Sequence, residues 1–344
     1  MLWLTRRLPF ILFSASLVAA ANAPVVLDGA GSTFVYPILA QWVKAYQRLH
    51  PGIEIAYDAV GSGRGISRML ARTVDFGATD GPMTDAELRH ARTPIVHIPV
   101  ILGAVVPAYN LPGVNGELKF TPAALAGIYL GTVKRWDDPE LVRANPGLRL
   151  PDRAISVLFR TDGSGTTYVW TDYLSKVSEA WKGKVGRNTS VNWPVGLGGK
   201  GNEGVAGLVK QTPNSVGYVE LIYALQNKLP YGLVQNASGE FVKADLPSVT
   251  AAAGAFAKAM PADFRVSITN PPGKGAYPIA SFTWLLVPAS PGDPRKGRVI
   301  VDFLKWMLAD GQKMTDALSY APLPKDVVGL VQDSLGQIRV PAAR

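Results

Sequence analysis

Three stretches rich in glycine and hydroxyl residues have the make-up of anion-binding loops. They are Gly29-Ala30-Gly31-Ser32-Thr33-Phe34, Gly61-Ser62-Gly63-Arg64-Gly65 and Arg160-Thr161-Asp162-Gly163-Ser164-Gly165-Thr166. Each follows an apolar run and precedes a stretch of helical spacing. Such a loop presents backbone N–H groups at a helix N-terminus, where partial positive charge favours anions. Glycine lets the backbone come close to a ligand, and hydroxyls rotate to suit a tetrahedral oxyanion. One loop alone reads better as helix capping; three after strands in one chain point to an anion site. Arg160 adds a planar two-pronged donor. Asp162, two residues on in an extended segment, falls on the same side and can aim it, the competing reading being an exposed ion pair of little worth. Asp80, ahead of Gly81-Pro82, is by itself a turn former. Within an anion site it reads as a proton acceptor. Hydrogen phosphate can donate to it, whereas sulfate would set two acceptors face to face.

Other chemistries find little support. Gly61 to Gly65 is not the G-x-G-x-x-G of a dinucleotide site, and the Gly198–Gly204 region lacks the G-K-[ST] ending of a P-loop. A secreted hydrolase using Ser164 as nucleophile needs a base. The chain has three histidines: His50 and His90 fall at helix ends, His97 falls within an apolar strand, and no motif places one beside Ser164. There is no H-E-x-x-H or clustered Asp/His set to hold a metal, and no cysteine for a disulfide, a thiolate ligand or a thiol nucleophile. No cofactor is expected.

The elements that must position these loops alternate between strand and helix, which predicts an α/β fold. Strands are expected at residues 25–27, 53–60, 74–78, 155–159, 215–220 and 281–287. Residues 95–109 form a long apolar stretch, read as a strand pair or as one strand running between domains. Helical spacing joins Val35, Ile38, Leu39, Trp42, Val43 and Tyr46, with Pro37 early in that helix, where proline costs least. The same spacing joins Val169, Trp170, Tyr173, Leu174 and Val177, and later Val299, Ile300, Phe303, Leu304, Met307 and Leu308. Thr84 and Glu87 have the spacing of a capping box.

The chain of 344 residues is 47% hydrophobic, enough to bury about two cores. Arg6 and Arg7, the apolar residues 8–18 and Ala19-Ala20-Ala21 read as a signal peptide of residues 1–21. The apolar run falls short of the ~20 residues a membrane span requires. A periplasmic location follows. The net charge of +9 belongs to scattered residues without a long basic run, which argues against nucleic acid as a partner.

The three loops, together with Val60-Gly61-Ser62-Gly63, Asp75-Phe76-Gly77-Ala78-Thr79-Asp80, Ile128-Tyr129-Leu130-Gly131, Lys134-Arg135-Trp136-Asp137-Asp138, the 196–201 glycine run and Val216-Gly217-Tyr218-Val219-Glu220, resemble the periplasmic phosphate-binding proteins of high-affinity phosphate ABC transporters (Pst-type, periplasmic binding protein-like class II). The resemblance spans nearly the whole mature chain. It implies two α/β lobes with a ligand cleft between them: residues 22–109 plus 276–344 as lobe I and 110–275 as lobe II, closing by a hinge on the ligand. It implies capture of inorganic phosphate by a monomer for the permease subunits of an importer. The implied phosphate ligands are Thr33, Phe34, Ser62, Asp80, Arg160, Ser164, Gly165 and Thr166, with Asp162 orienting Arg160. Two positions depart from the family pattern: Ser32 stands where alanine is expected and Gly63 where serine is expected. Neither is assigned a direct contact, and Gly63 is expected to loosen its loop. Another oxyanion such as sulfate or molybdate, similarly protonated arsenate, or a homologue serving in adhesion or signalling are the alternatives.

Overall fold

The computed structural model describes residues 24–256 and 259–340, so the signal segment read at residues 1–21 lies outside the described residues. The strands are β1 (Val25–Gly31), β2 (Ile53–Asp58), β3 (Phe76–Thr79), β4 (Ile95–Asn110), β5 (Lys119–Phe120), β6 (Ser156–Arg160), β7 (Leu197–Gly199), β8 (Ser215–Glu220), β9 (Leu233–Gln235), β10 (Phe241–Val242) and β11 (Ala280–Pro288). Eight of them share one sheet in the order β2-β1-β3-β11-β4-β8-β6-β7, and β10-β9-β5 form a small second sheet.

At each end of the large sheet lies a parallel trio. β1 pairs in parallel with β2 and β3, and β6 with β7 and β8. Parallel neighbours need crossovers. Helices Tyr36–Leu49 and Ser62–Ala71 supply them in the first trio, Gly165–Val177 and Gly201–Gln211 in the second. Every glycine- and hydroxyl-rich loop therefore sits at the carboxyl end of a parallel strand, where open α/β sheets hold their ligands. The first helix carries the predicted face: Ile38, Leu39, Trp42 and Tyr46 are buried. Behind Arg160, the helix Gly165–Val177 buries Val169, Trp170, Tyr173 and Leu174. There Trp170 stacks on Tyr218 with ring centroids 5.2 Å apart.

Between the trios run β11 and β4, antiparallel. The long apolar stretch is one strand of 16 residues, about 50 Å at ~3.3 Å per residue. Its register partners are β11 up to Ala104 and β8 from Val105 onward. The strand thus changes partner without a loop. It is buried throughout except at its two end residues, so its sequence shows an unbroken apolar run and no alternation. The β11–β4 register shifts between Thr283 and Trp284, opposite Ile101 and Pro99. Pro99 has no N–H to give the ladder, and a bulge accommodates that.

The segment leading into β11 is pinned to the helix behind Arg160. Buried Asp172 accepts the hydroxyls of Ser267 and Thr269, both at 2.5 Å, and Arg187 at 2.7 Å. Burial alone would raise its pKa; Lys176, the two hydroxyls and Arg187 outweigh that and hold it below the usual carboxylate value. Asp172→Ala is expected to cost about 3 kcal/mol in urea unfolding, because donors gathered around a buried charge lose it. A folded-state pKa that is lowered gives stability above the unfolded value, so the wild type's advantage shrinks as pH falls below about 4.

Candidate functional site

The site is built around two charged groups carried by opposite halves of the sheet. Asp80 follows β3, and Arg160 ends β6; both are buried. Among the described residues no cation bonds directly to Asp80. Its donors are hydroxyls: Thr283 Oγ1 donates to Oδ1 at 2.6 Å, Ser32 Oγ lies 2.7 Å from both oxygens, and Ser62 Oγ lies 3.4 Å from Oδ2. Ser281, two residues before Thr283 on β11 and so on the same face, donates to the Asp80 carbonyl at 3.1 Å. Burial pushes the Asp80 pKa up to about 6, against the pull of Thr283, Ser32, Arg160 and Ser62. The carboxylate is therefore ionised at neutral pH while holding a proton far more readily than an exposed aspartate.

Asp162 accepts two hydrogen bonds along one edge of the Arg160 guanidinium. Nε donates to Oδ1 at 2.8 Å and Nη2 to Oδ2 at 2.6 Å. Asp162 also accepts the Gly201 N–H at 3.0 Å. Burial opposes its charge, but the Arg160 fork outweighs burial and keeps its pKa below the ordinary value. The outer prong, Nη1, reaches Thr166 Oγ1 at 3.2 Å. Tyr218 fixes the base of this arm, since its hydroxyl accepts the Arg160 N–H at 3.1 Å and bonds Thr167 Oγ1 at 2.6 Å.

The loops divide between capping and ligand geometry. Ser164 Oγ caps its helix by accepting the Thr167 N–H at 3.0 Å. The helices after the first two loops have no side-chain cap, Val35 and Gly61 being their N-cap residues. Across the cleft the halves touch. The Gly63 N–H donates to the Gly163 carbonyl at 2.9 Å. A Cβ at Gly165 would stand 2.4 Å from both Asp80 Oδ2 and Ser62 Oγ, and a Cβ at Gly61, whose φ is +91°, would stand 2.4 Å from Asp162 Oδ2. The structure thus brings Ser62, Asp80 and Gly165 together at one point, and Arg160, Asp162, Thr166 and Thr33 at a second. Phe34 is the exception: its N–H, expected to face the ligand, donates to Ser32 Oγ at 3.0 Å.

The two departures from the family pattern take on roles. Ser32 solvates Asp80 and engages the Phe34 N–H. Gly63, expected to loosen its loop, marks a close approach of the two halves, since a Cβ there would lie 3.1 Å from Gly163 Cα. Sequence reasoning also missed three tyrosines. Tyr57, Tyr223 and Tyr320 donate to the successive carbonyls of Ser32, Thr33 and Phe34 at 2.9, 2.5 and 2.5 Å. Burial raises the pKa of all three, so they remain donors. Missed too was Asn202, which links Thr33, Thr166 and Glu220. Only the glycine run before Asn202 hinted at it.

Comparison with known proteins places this architecture. A family model, the PBP superfamily domain, matches residues 18–311. The phosphate-binding protein PstS of Xylella fastidiosa (strain Temecula1) is 44% identical over 315 residues, 91% of this chain and 86% of its own. That of Pasteurella multocida is 40% identical over 330 residues, 96% and 95% of the two chains. This chain belongs to the PBP superfamily and, within it, to the PstS phosphate-binding protein family. Among solved structures, a high-affinity periplasmic phosphate-binding protein bound with phosphate (PfluDING) superposes with a TM-score of 0.73 at 20% identity, covering 90% of this chain and 94% of that one. An ABC-type phosphate transport receptor from Vibrio cholerae gives 0.56 at 20% identity, covering 87% and 100%. At such identity these two establish the fold: paired α/β lobes of the periplasmic binding protein type. No helix among the described residues is long and apolar enough to cross a membrane.

A carboxyl whose pKa is raised by folding favours the folded state at low pH and burdens it once ionised. Stability assignable to Asp80 is therefore lost as pH rises from about 4 to about 6. Asp80→Asn is expected to raise the melting temperature of ligand-stripped protein at pH 8. The gain should vanish at pH 4, as followed by scanning calorimetry.

Proposed function

We propose that this chain captures inorganic phosphate between its lobes in the periplasm and delivers it to the permease subunits of an ABC importer, acting as a monomer. In this reading residues 22–109 with 276–344 form lobe I, and residues 110–275 form lobe II. Phosphate is held by Thr33, Phe34, Ser62, Asp80, Arg160, Ser164, Gly165 and Thr166, with Asp162 setting the arginine; Phe34 contributes its N–H once Ser32 releases it.

One observation carries the reading: a buried carboxylate that bonds no cation among the described residues, set among hydroxyls within the electrostatic reach of a buried arginine. A site for a fully deprotonated anion has no use for such a group, because two acceptors without a shared proton repel. A hydrogen phosphate oxygen donates its proton to Asp80 while its other oxygens accept from Arg160 and the hydroxyls. The names of the relatives agree with this ligand. Binding is favoured over catalysis by Ser164, whose oxygen is engaged as a helix cap. His97 is likewise occupied, accepting the Met83 N–H at 3.1 Å, and burial lowers its pKa to about 4.

Calorimetric titration of unfolded, dialysed and refolded protein tests the proposal. One phosphate per chain and little heat from sulfate are expected; equal affinities would remove the proton-acceptor role of Asp80. Arg160→Ala should weaken phosphate by several kcal/mol, since a buried charged partner is lost; an unchanged affinity would take Arg160 out of the site. Sulfate should gain on phosphate as pH falls through about 6, because protonated Asp80 turns from acceptor into donor. In Asp80→Asn that pH dependence should disappear.

A further inference from the structure

We infer that Asn202 is a positioning residue that turns the hydroxyls of Thr33 and Thr166 into obligate donors facing the bound anion. The inference rests on the phosphate reading above and extends it to a residue from the fourth glycine-rich loop.

The argument is one of hydrogen-bond valence. Asn202 is fully buried in the first turn of the helix Gly201–Gln211. Its side-chain oxygen accepts the Glu220 N–H at 2.9 Å. That bond fixes which way round the amide sits, since a flip would point an NH2 at an N–H. The Nδ2 group therefore faces the threonines with both protons, giving one to Thr33 Oγ1 at 2.9 Å and one to Thr166 Oγ1 at 3.2 Å. Each threonine oxygen takes a second donor as well: the Asn202 N–H at 3.4 Å for Thr33, and Arg160 Nη1 at 3.2 Å for Thr166. A hydroxyl has two lone pairs and one proton. With both lone pairs engaged, only the proton of each is left to offer.

A rotatable hydroxyl serves a protonated and an unprotonated oxygen equally well. These two cannot, because Asn202 and Arg160 have fixed their polarity. The site is thereby divided into a side that only gives protons, made of Thr33, Thr166 and Arg160, and a side that receives one at Asp80. A hydrogen phosphate ion then has one favourable orientation, with its O–H toward Asp80. Thr33 and Thr166 come from opposite halves of the sheet, so the same amide also sets the two hydroxyls relative to one another.

A double-mutant cycle on the full mature chain tests this, with phosphate affinity measured by calorimetry for wild type, Thr166→Val, Asn202→Ala and the double variant. Thr166→Val should weaken binding about tenfold in the wild-type background. In the Asn202→Ala background the same change should cost threefold or less, because a freed hydroxyl no longer has a fixed polarity. An undiminished tenfold loss overturns the inference. Removing the acceptor of a buried N–H could unfold the Ala variant, so the cycle is repeated with Asn202→Asp. The aspartate keeps an acceptor for Glu220 but offers the threonines lone pairs in place of protons. The Thr166→Val penalty should then vanish; if Asp acts through its charge alone the penalty persists, and the inference falls. A third readout needs no ligand. The two Asn202 Nδ2 protons should shift separately in 15N-edited NMR spectra, one on Thr33→Val and the other on Thr166→Val. Shifts of this kind with no phosphate heat in the wild type would retire the phosphate reading and leave the positioning role standing. Resonances indifferent to both substitutions would overturn the role itself.

Discussion

A carboxylate taken out of water must be given other donors, or it costs several kcal/mol. At Asp80 the usual remedy, a direct salt bridge, is withheld, and three hydroxyls stand in. They arrive from places that nothing local connects: Ser32 after β1, Ser62 at the start of a crossover helix, and Thr283 on β11 beside a bulge. Much of the fold around the site can be understood as the means of bringing these three to one point. β3 must carry Asp80 between β1 and β11, and glycine is required opposite it at position 165, where a Cβ would overlap both Asp80 and Ser62. Hydroxyls stabilise the charge without neutralising it. The group remains available to a ligand's proton, which a lysine or arginine partner would have prevented.

The cationic side follows the opposite rule. Arg160 is braced: Asp162 takes two of its five N–H groups and Thr166 a third, Tyr218 holds the backbone, and two N–H groups are left for a ligand. Its aim is set before any ligand arrives, so less side-chain entropy is lost on binding. The loop at residues 32–34 is set in the same manner, by three phenols on three successive carbonyls. Two of these phenols come from chain segments about two hundred residues or more away, Tyr223 and Tyr320.

That distance separates what could be read in the sequence from what could not. The loops, the strand preceding each, the Arg160–Asp162 pairing and the lone acid Asp80 were legible, because each is a short pattern with its own chemistry. Thr283, Asn202 and the tyrosines were not. Their residue types are ordinary for strands, helix starts and cores, and their partners are set by sheet order and not by spacing. Ser32 was visible as a departure from the family pattern, but its bond to Asp80 spans 48 positions. In the sequence Gly63 suggests a loosened turn because glycine frees the backbone; packing against Gly163 turns that freedom into a close contact. The apolar stretch at residues 95–109 fits a strand pair and a crossing strand alike. Burial on both faces removes the alternation that would have marked a turn.

That crossing strand has a mechanical consequence. Where β4 passes from β11 to β8, between Ala104 and Val105, no flexible joint intervenes. The two halves share a girder. Any rotation of one against the other has to enter this strand as torsion spread along a hydrogen-bonded ribbon, and a twisted ribbon pushes back. Opening and closing at such a junction has the character of a spring, with a preferred angle and a stiffness set by the ladder on either side.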